Sequence, residues 1–246
     1  QKEGQATIPP ERSASVKPMH VTVLFSGGKD SCYTVQRLRE EGLDVKLLLT
    51  MIPGSDESWL FHHPCIQWTG LQAEAMGIPI QTYQTEAKGE IEKDELRKCL
   101  AEVRNRHDIE GIAAGAIASK YQKKRIEEVA EQLGLKCFTP LWGMDPMRLL
   151  SDQLKAGLEV IVVAVAALGL DQRWLGRRLD EDAAKELGRL QERHGVNPSG
   201  EGGEYETFVP DSSLFKKRIV ISDCRKVWLG DRGHFEIIKA ELVEKH

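Results

Sequence analysis

One run of sequence indicates the fold class, Val21-Thr22-Val23-Leu24-Phe25-Ser26-Gly27-Gly28-Lys29-Asp30-Ser31. Its first five residues are apolar or β-branched, which predicts a buried strand. The two glycines predict a tight turn, because glycine adopts backbone conformations that other residues avoid. Cys32, Val35 and Leu38 then recur at helical spacing, and Gly42 marks the expected end of the helix. A strand, a glycine turn and a helix in this order form the first unit of an α/β fold.

The same alternation continues outward along the chain. Apolar runs predict four further strands at residues 45–51, 78–83, 109–114 and 135–138. Amphipathic segments between them predict helices at residues 66–76, 91–107 and 121–133. Five strands joined by helices predict a parallel five-stranded sheet with helices on both faces. Since ligands bind beyond the carboxyl ends of such strands, one cleft is expected to collect the loops at Ser26, 51–62, 83–86, 115–119 and 140–143.

The pattern changes after Gly143. Helices are predicted at residues 147–156 and 181–194, and strands at 160–166 and near 218–222 and 235–241. This mixture predicts a smaller α+β C-terminal subdomain for binding substrate. The predicted organisation is a disordered tail at residues 1–19, a nucleotide-binding domain at 20–143 and the second subdomain at 144–246.

Bulk properties exclude several classes of function. A net charge of −4 gives no general attraction to nucleic acid, so no stable nucleic-acid partner is expected. Five cysteines without a CxxC pair argue against a disulfide framework or a zinc site and favour a reducing, cytoplasmic setting. No apolar run reaches the roughly 18 residues of a membrane span, so no membrane partner is expected. The oligomeric state is left open, and a homodimer is compatible with the sequence.

The glycine turn has the chemistry of an anion site. Gly27 and Gly28 allow close backbone approach, and the following N–H groups open a helix, whose positive end favours phosphate. Ser26 and Ser31 can donate hydrogen bonds, Lys29 adds positive charge, and Asp30 can hold Mg²⁺ or cap the helix. The alternative is a capped turn without a ligand. The six residues resemble SGGxDS, the loop of the PP-loop ATP pyrophosphatases, which implies ATP as cofactor and a HUP/Rossmann-like domain.

A second cluster lies in the C-terminal half, at Gly200-Glu201-Gly202-Gly203-Glu204-Tyr205-Glu206-Thr207. Three carboxylates within eight residues suit a cation, Mg²⁺ or a general base. The alternative is a solvated acidic turn.

Taken with its surroundings, this cluster resembles the diphthine–ammonia ligase family. The resemblance runs from residue 21 over nearly all of the chain, and its specificity lies in the order of the matching pieces. Those pieces are 26–31, Glu57-Ser58, Phe61-His62, 115–122 with Arg125 and Glu127, 133–135, Pro140-Leu141-Trp142, Gly169-Leu170-Asp171, 174–177, 200–208 and Leu214-Phe215-Lys216.

The resemblance implies a reaction in which ATP activates the carboxylate of diphthine, a modified histidine of translation elongation factor 2. An acyl-adenylate forms with release of pyrophosphate, and ammonium supplies the nitrogen that displaces AMP. The implied catalytic residues are Lys29, Asp30, Glu201, Glu204 and Glu206. Besides residues 26–31, the nucleotide-binding candidates are Gly115, Lys120, Tyr121, Gln122 and Arg125. The substrate-binding candidates are His62, Gly202, Gly203 and Tyr205, and Asp30 is the Mg²⁺ ligand.

Ordinary structural roles remain the alternatives for several candidates. Lys120, Tyr121, Gln122 and Arg125 also fit a solvated helix face, and His62 also fits an ordinary loop position. Two other functions stay open as well. One is a different PP-loop ATP pyrophosphatase, such as a tRNA-modifying enzyme, and the other is an ATP-binding sensor that does not cleave ATP.

Overall fold

The computed structural model describes residues 17–53, 65–85 and 90–245. His62 and most of the predicted tail, up to residue 16, lie outside the described residues. Within this part of the chain, no helix combines the length and apolar character needed to cross a membrane.

The first sheet confirms the predicted α/β fold class. Its five parallel strands are β1 (His20–Leu24), β2 (Asp44–Pro53), β3 (Ile80–Thr85), β4 (Gly111–Ala113) and β5 (Lys136–Phe138). Their spatial order is β3-β2-β1-β4-β5, so the chain runs outward from β1 in one direction and then returns to its other side. Val21 and Val23 on the central strand are fully buried, as an apolar run covered on both faces requires.

Helices cover both faces of this sheet, as predicted. They are α1 (Lys29–Glu40), α2 (Thr69–Met76), α3 (Glu90–His107) and α4 (Lys120–Gln132). Alternation along β2 shows the two faces. Leu47 and Leu49 pack in the cluster that includes residues of α3 and α4, whereas Leu48 packs in the cluster that includes residues of α1 and α2.

The C-terminal half forms a second, antiparallel sheet. Its elements are α5 (Pro146–Lys155), β6 (Glu159–Val165), α6 (Glu181–His194), β7 (Tyr205–Asp211), β8 (Lys217–Trp228) and β9 (Gly233–Glu244), with strand order β7-β6-β9-β8. The sequence prediction missed β7, because the acidic, glycine-rich stretch before it resembles a loop. It also made β8 and β9 too short. Residues 223–226 of β8, which the prediction left out, are exposed, and pairing with β9, rather than burial, extends the strand over them.

The two halves share one core. The cluster that begins with Val21 and Val35 continues without interruption to Val163 and Phe208 of the second sheet. Helix α1 contacts β7, and α2 contacts β8 and β9. Because one core spans both halves, it does not mark a boundary, and the predicted boundary at residue 143 stays a prediction. The same packing brings the second sheet against α1, the helix that follows the glycine turn.

Candidate active site

A cleft of about 560 Å³ opens at the carboxyl ends of the central strands of the first sheet. It lies where the strand order reverses between β1 and β4, the usual ligand position in such sheets. The prediction that all five strand ends share the cleft is wrong for the edge strands. Among the described residues, none that lines the cleft comes from 83–85 or 140–143, because β3 and β5 lie farthest from the reversal.

The glycine turn is held in shape by distant parts of the chain. Gly27 has φ +81°, and a side chain there would collide with the buried Gln72 side chain. Gln72 Nε2 donates to the carbonyl oxygens of Gly27 (2.8 Å) and Val209 (2.9 Å). The Val209 N–H also donates to Gly27 O at 3.3 Å. The turn is thus fixed from α2 on one side and β7 on the other.

The start of α1 presents hydrogen-bond donors to the cleft. The Lys29 N–H donates to Thr207 Oγ1 at 3.1 Å. The N–H groups of Asp30 and Ser31 belong to the first helical turn and have no partner inside the helix. The hydroxyls of Ser26 and Ser31 lie 3.4 Å apart at the same point. Residues 26, 30 and 31 line the cleft, so this arrangement suits a phosphate group.

Lys29 is turned away from solvent and into an internal network. It is 2% exposed, and its Nζ donates to Asp30 Oδ2 (2.8 Å), Asp30 Oδ1 (3.0 Å) and Ser199 O (2.5 Å). The ring of Tyr205 lies 5.6 Å from the same ammonium. Burial raises the pKa of Tyr205 well above its usual value, so the phenol stays neutral and donates to Pro198 O. Lys29 therefore links the glycine turn and the start of α1 (residues 26–31, the phosphate loop) to residues 199–207, the C-terminal acidic segment.

Asp30 fits a Mg²⁺ ion through one oxygen atom. Its Oδ1 already accepts from Lys29 and from Gln153 Nε2 (2.7 Å), whereas among the described residues Oδ2 accepts from Lys29 alone. A carboxylate oxygen can accept twice, which leaves one position on Oδ2. Over the described residues, no group of three or more acidic, histidine or cysteine side chains is placed to hold a metal. Such a site suits Mg²⁺ held largely by phosphates and water.

The three predicted glutamates occupy different positions. Glu201 and Glu206 line the cleft, together with Gly202, Gly203 and Tyr205. Glu204 does not line it. Its Oε1 accepts from the Asn197 N–H at 3.1 Å, and its Oε2 is buried. The acidic segment therefore combines groups that line the cleft with a group that shapes the turn.

The candidates around α4 also divide. Gly115, Gln122 and Arg125 line the cleft, whereas Lys120 and Tyr121 are exposed outside it. A side chain at Gly115 would press against the backbone of Asp30, so packing against α1 explains this glycine.

Four further residues shape the site and were missed from the sequence: Gln72, Gln153, Ser199 and Thr207. Gln72 and Gln153 are fully buried glutamines among apolar residues of α2 and α5. A polar side chain on an apolar helix face was the available signal. Ser199 acts through its carbonyl, which no sequence pattern marks.

Replacing Thr207 is expected to destabilise the protein around the glycine turn. Thr207→Val keeps the shape of the side chain but leaves the buried Lys29 N–H without its acceptor, so the unfolding free energy should fall by about 2 kcal/mol. Thr207→Ser retains the hydroxyl and should lose less than about 1 kcal/mol. Urea unfolding measures both, and equal stabilities for the valine and serine variants would contradict the assigned contact.

Fold and loop together define the class. A glycine turn after the central strand, with its donors facing a cleft at the sheet's reversal point, makes this chain an α/β protein of the parallel-sheet class with an anion-binding loop between its first strand and first helix.

Comparison with known proteins identifies the family. The diphthamide synthase N-terminal domain matches residues 19–137, and the diphthamide synthase C-terminal domain matches residues 145–243. The chain belongs to the diphthamide synthase family.

Curated relatives of the chain are diphthine–ammonia ligases, enzymes that form C–N bonds. The protein from Bos taurus is 35% identical, with 93% of this chain and 92% of the relative covered. The protein from Homo sapiens is 36% identical, with 85% of each covered. The protein from Schizosaccharomyces pombe is 39% identical over 83% of this chain, which spans only 36% of that relative's length.

Proposed function

We propose that this chain converts diphthine on translation elongation factor 2 to diphthamide, using ATP and ammonium and releasing AMP and pyrophosphate. The family match over both halves supports the reaction. The observation that carries the proposal is one cleft lined by the phosphate loop on one side and by the acidic segment 199–207 on the other. An anionic nucleotide and a cationic substrate would meet there.

The first step would join two anions. A carboxylate oxygen of diphthine attacks the α-phosphorus of ATP, and the bond to pyrophosphate breaks. The Asp30 and Ser31 N–H groups, the Ser26 and Ser31 hydroxyls and the Arg125 guanidinium would stabilise the added negative charge. Mg²⁺ at Asp30 Oδ2 would screen the phosphates. Lys29 would act indirectly, by holding Asp30 and the acidic segment in place.

The second step would form the amide. Ammonia attacks the acyl carbon, AMP leaves, and a proton must pass from the nitrogen to a base. Glu206, which lines the cleft, is the proposed base. The acidic segment would also attract the trimethylammonium group of diphthine and the incoming ammonium ion.

Product formation tests the proposal. The chain is incubated with ATP, Mg²⁺ and ammonium, with and without elongation factor 2 bearing diphthine, and pyrophosphate, AMP and the amide are measured. Release that requires the modified factor is expected, and glutamine should not replace ammonium. Pyrophosphate release without the factor would indicate another acceptor, such as tRNA. ATP binding without any release would indicate a sensor.

The cysteines do not favour a sulfur-transferring PP-loop enzyme. Burial raises the pKa of Cys32 far above its usual value and that of Cys65 to about 12, and it is the main cause that raises the pKa of Cys99 and Cys137 to about 11. These thiols stay protonated at neutral pH, whereas the thiolate is the nucleophile.

Thiol labelling checks this environment. At pH 8, iodoacetamide is expected to modify the exposed Cys224 and to leave Cys32 and Cys65 unmodified until the protein is unfolded, because a buried thiol ionises only above its raised pKa. Mass spectrometry of the digested protein locates the label. Rapid modification of Cys32 in the folded protein would contradict the prediction.

A further inference from the structure

Glu201 links the two walls of the cleft. Its Oε1 accepts hydrogen bonds from the N–H groups of Ala118 (3.0 Å) and Ser119 (3.1 Å), which lie 83 and 82 residues away in the sequence. Both N–H groups precede α4, and the Ser119 side chain caps that helix by accepting from the Gln122 N–H. The carboxylate therefore binds at the positive end of a 13-residue helix, where negative charge is favoured.

The segment that carries Glu201 is anchored close to it on both sides. On one side, Ser199 O accepts from the buried Lys29 ammonium. On the other side, Glu204 O accepts from the N–H of Ala166, the residue directly after β6, and Glu204 Oε1 accepts from the Asn197 N–H. The Gly203 N–H closes the turn onto Gly200 O at 3.0 Å. Glu201 thus lies at the tip of a tight turn and reaches across to the opposite wall.

We propose that Glu201 is a positioning residue. It docks the acidic segment 199–207 onto the start of α4 and closes the cleft around bound nucleotide. The identity of the ligand in this inference rests on the proposed function. The hydrogen bonds of Glu201 to Ala118 and Ser119 do not depend on that function. The docking uses acceptor lone pairs, so an amide oxygen in the same place would serve. A general base at this position would instead need the carboxylate itself. The two roles therefore predict different behaviour for glutamine at residue 201.

Three variants test the docking role. In Glu201→Ala, hydrogen exchange of the Ala118 and Ser119 amides should become at least about tenfold faster, and the affinity for a non-hydrolysable ATP analogue should fall by a similar factor. In Glu201→Gln, whose amide oxygen can accept the same two hydrogen bonds, amide exchange and analogue affinity should lie closer to those of the unchanged protein than to those of Glu201→Ala. Glu131→Ala is the control, because Glu131 is exposed in the last turn of α4, far from its start. It should alter neither the amide exchange at residues 118 and 119 nor the affinity for the analogue.

Two results would overturn the proposal. One is unchanged amide exchange at residues 118 and 119 in Glu201→Ala. The other is a Glu201→Gln variant that keeps the exchange protection but loses pyrophosphate release as completely as Glu201→Ala, since the charge itself would then be required. If the unchanged protein releases no pyrophosphate with diphthine-bearing factor, only the proposed function fails. Exchange and analogue binding still decide the role of Glu201.

Discussion

Gly27→Ala is expected to reduce pyrophosphate release from ATP by at least about 100-fold, because two independent constraints act on this residue. Its φ of +81° is unfavourable for any residue with a side chain. The added methyl group would also overlap the side chain of Gln72, which is fully buried and cannot move away without breaking its bonds to Gly27 O and Val209 O. The turn would have to open, and its donors would no longer converge on a phosphate.

Gly42→Ala provides the matched control. Gly42 has φ +79°, nearly the same backbone strain, but an added methyl group meets no atom within 4 Å. Both variants should lose about 1 kcal/mol of unfolding free energy from the left-handed backbone. Gly42→Ala alone should retain ATP turnover. Urea unfolding and pyrophosphate release separate the two effects, and a Gly27→Ala variant as active as Gly42→Ala would show that the turn tolerates a side chain.

Lys29→Met is expected both to abolish turnover and to lower the unfolding free energy by about 3 kcal/mol. The change leaves Asp30 without its cationic partner and Ser199 O without its donor, next to the buried Tyr205. The lower end of the usual range for a broken buried pair applies, because the Asp30 side chain remains 29% exposed. Loss of the link to Ser199 would also release the acidic segment from the phosphate loop.

A second substitution distinguishes the structural part of this effect from the functional part. In Lys29→Met with Asp30→Asn, no unpaired charge remains, so at least half of the lost unfolding free energy should return while turnover stays absent. Lys185→Met removes a comparable pair with Asp182 at an exposed position and should change the unfolding free energy by less than about 0.5 kcal/mol. A Lys29→Met protein as stable as the Lys185→Met protein would contradict the buried network.

Local chemistry explains why much of the fold was predictable. The strand, glycine turn and helix around residues 21–40 follow from apolar runs, glycine and helical periodicity, all of which act between near neighbours. The same signals predict the five-stranded sheet, and the ordered motifs indicate the family. Strand β7 was not predictable in this way, because glycine and glutamate in the segment before it favour a loop when no partner strand is considered.

Local sequence patterns therefore predicted the phosphate loop, the parallel sheet, the family resemblance and the position of the acidic cluster along the chain. The contacts between these groups were not predictable in this way and depend on the packing of the two halves. Lys29 meets Ser199 and Thr207 across 170 and 178 residues, and Glu201 meets Ala118 across 83. The physical reason is that such hydrogen bonds depend on where two sheets pack, and the burial that orients them comes from a core shared by both halves.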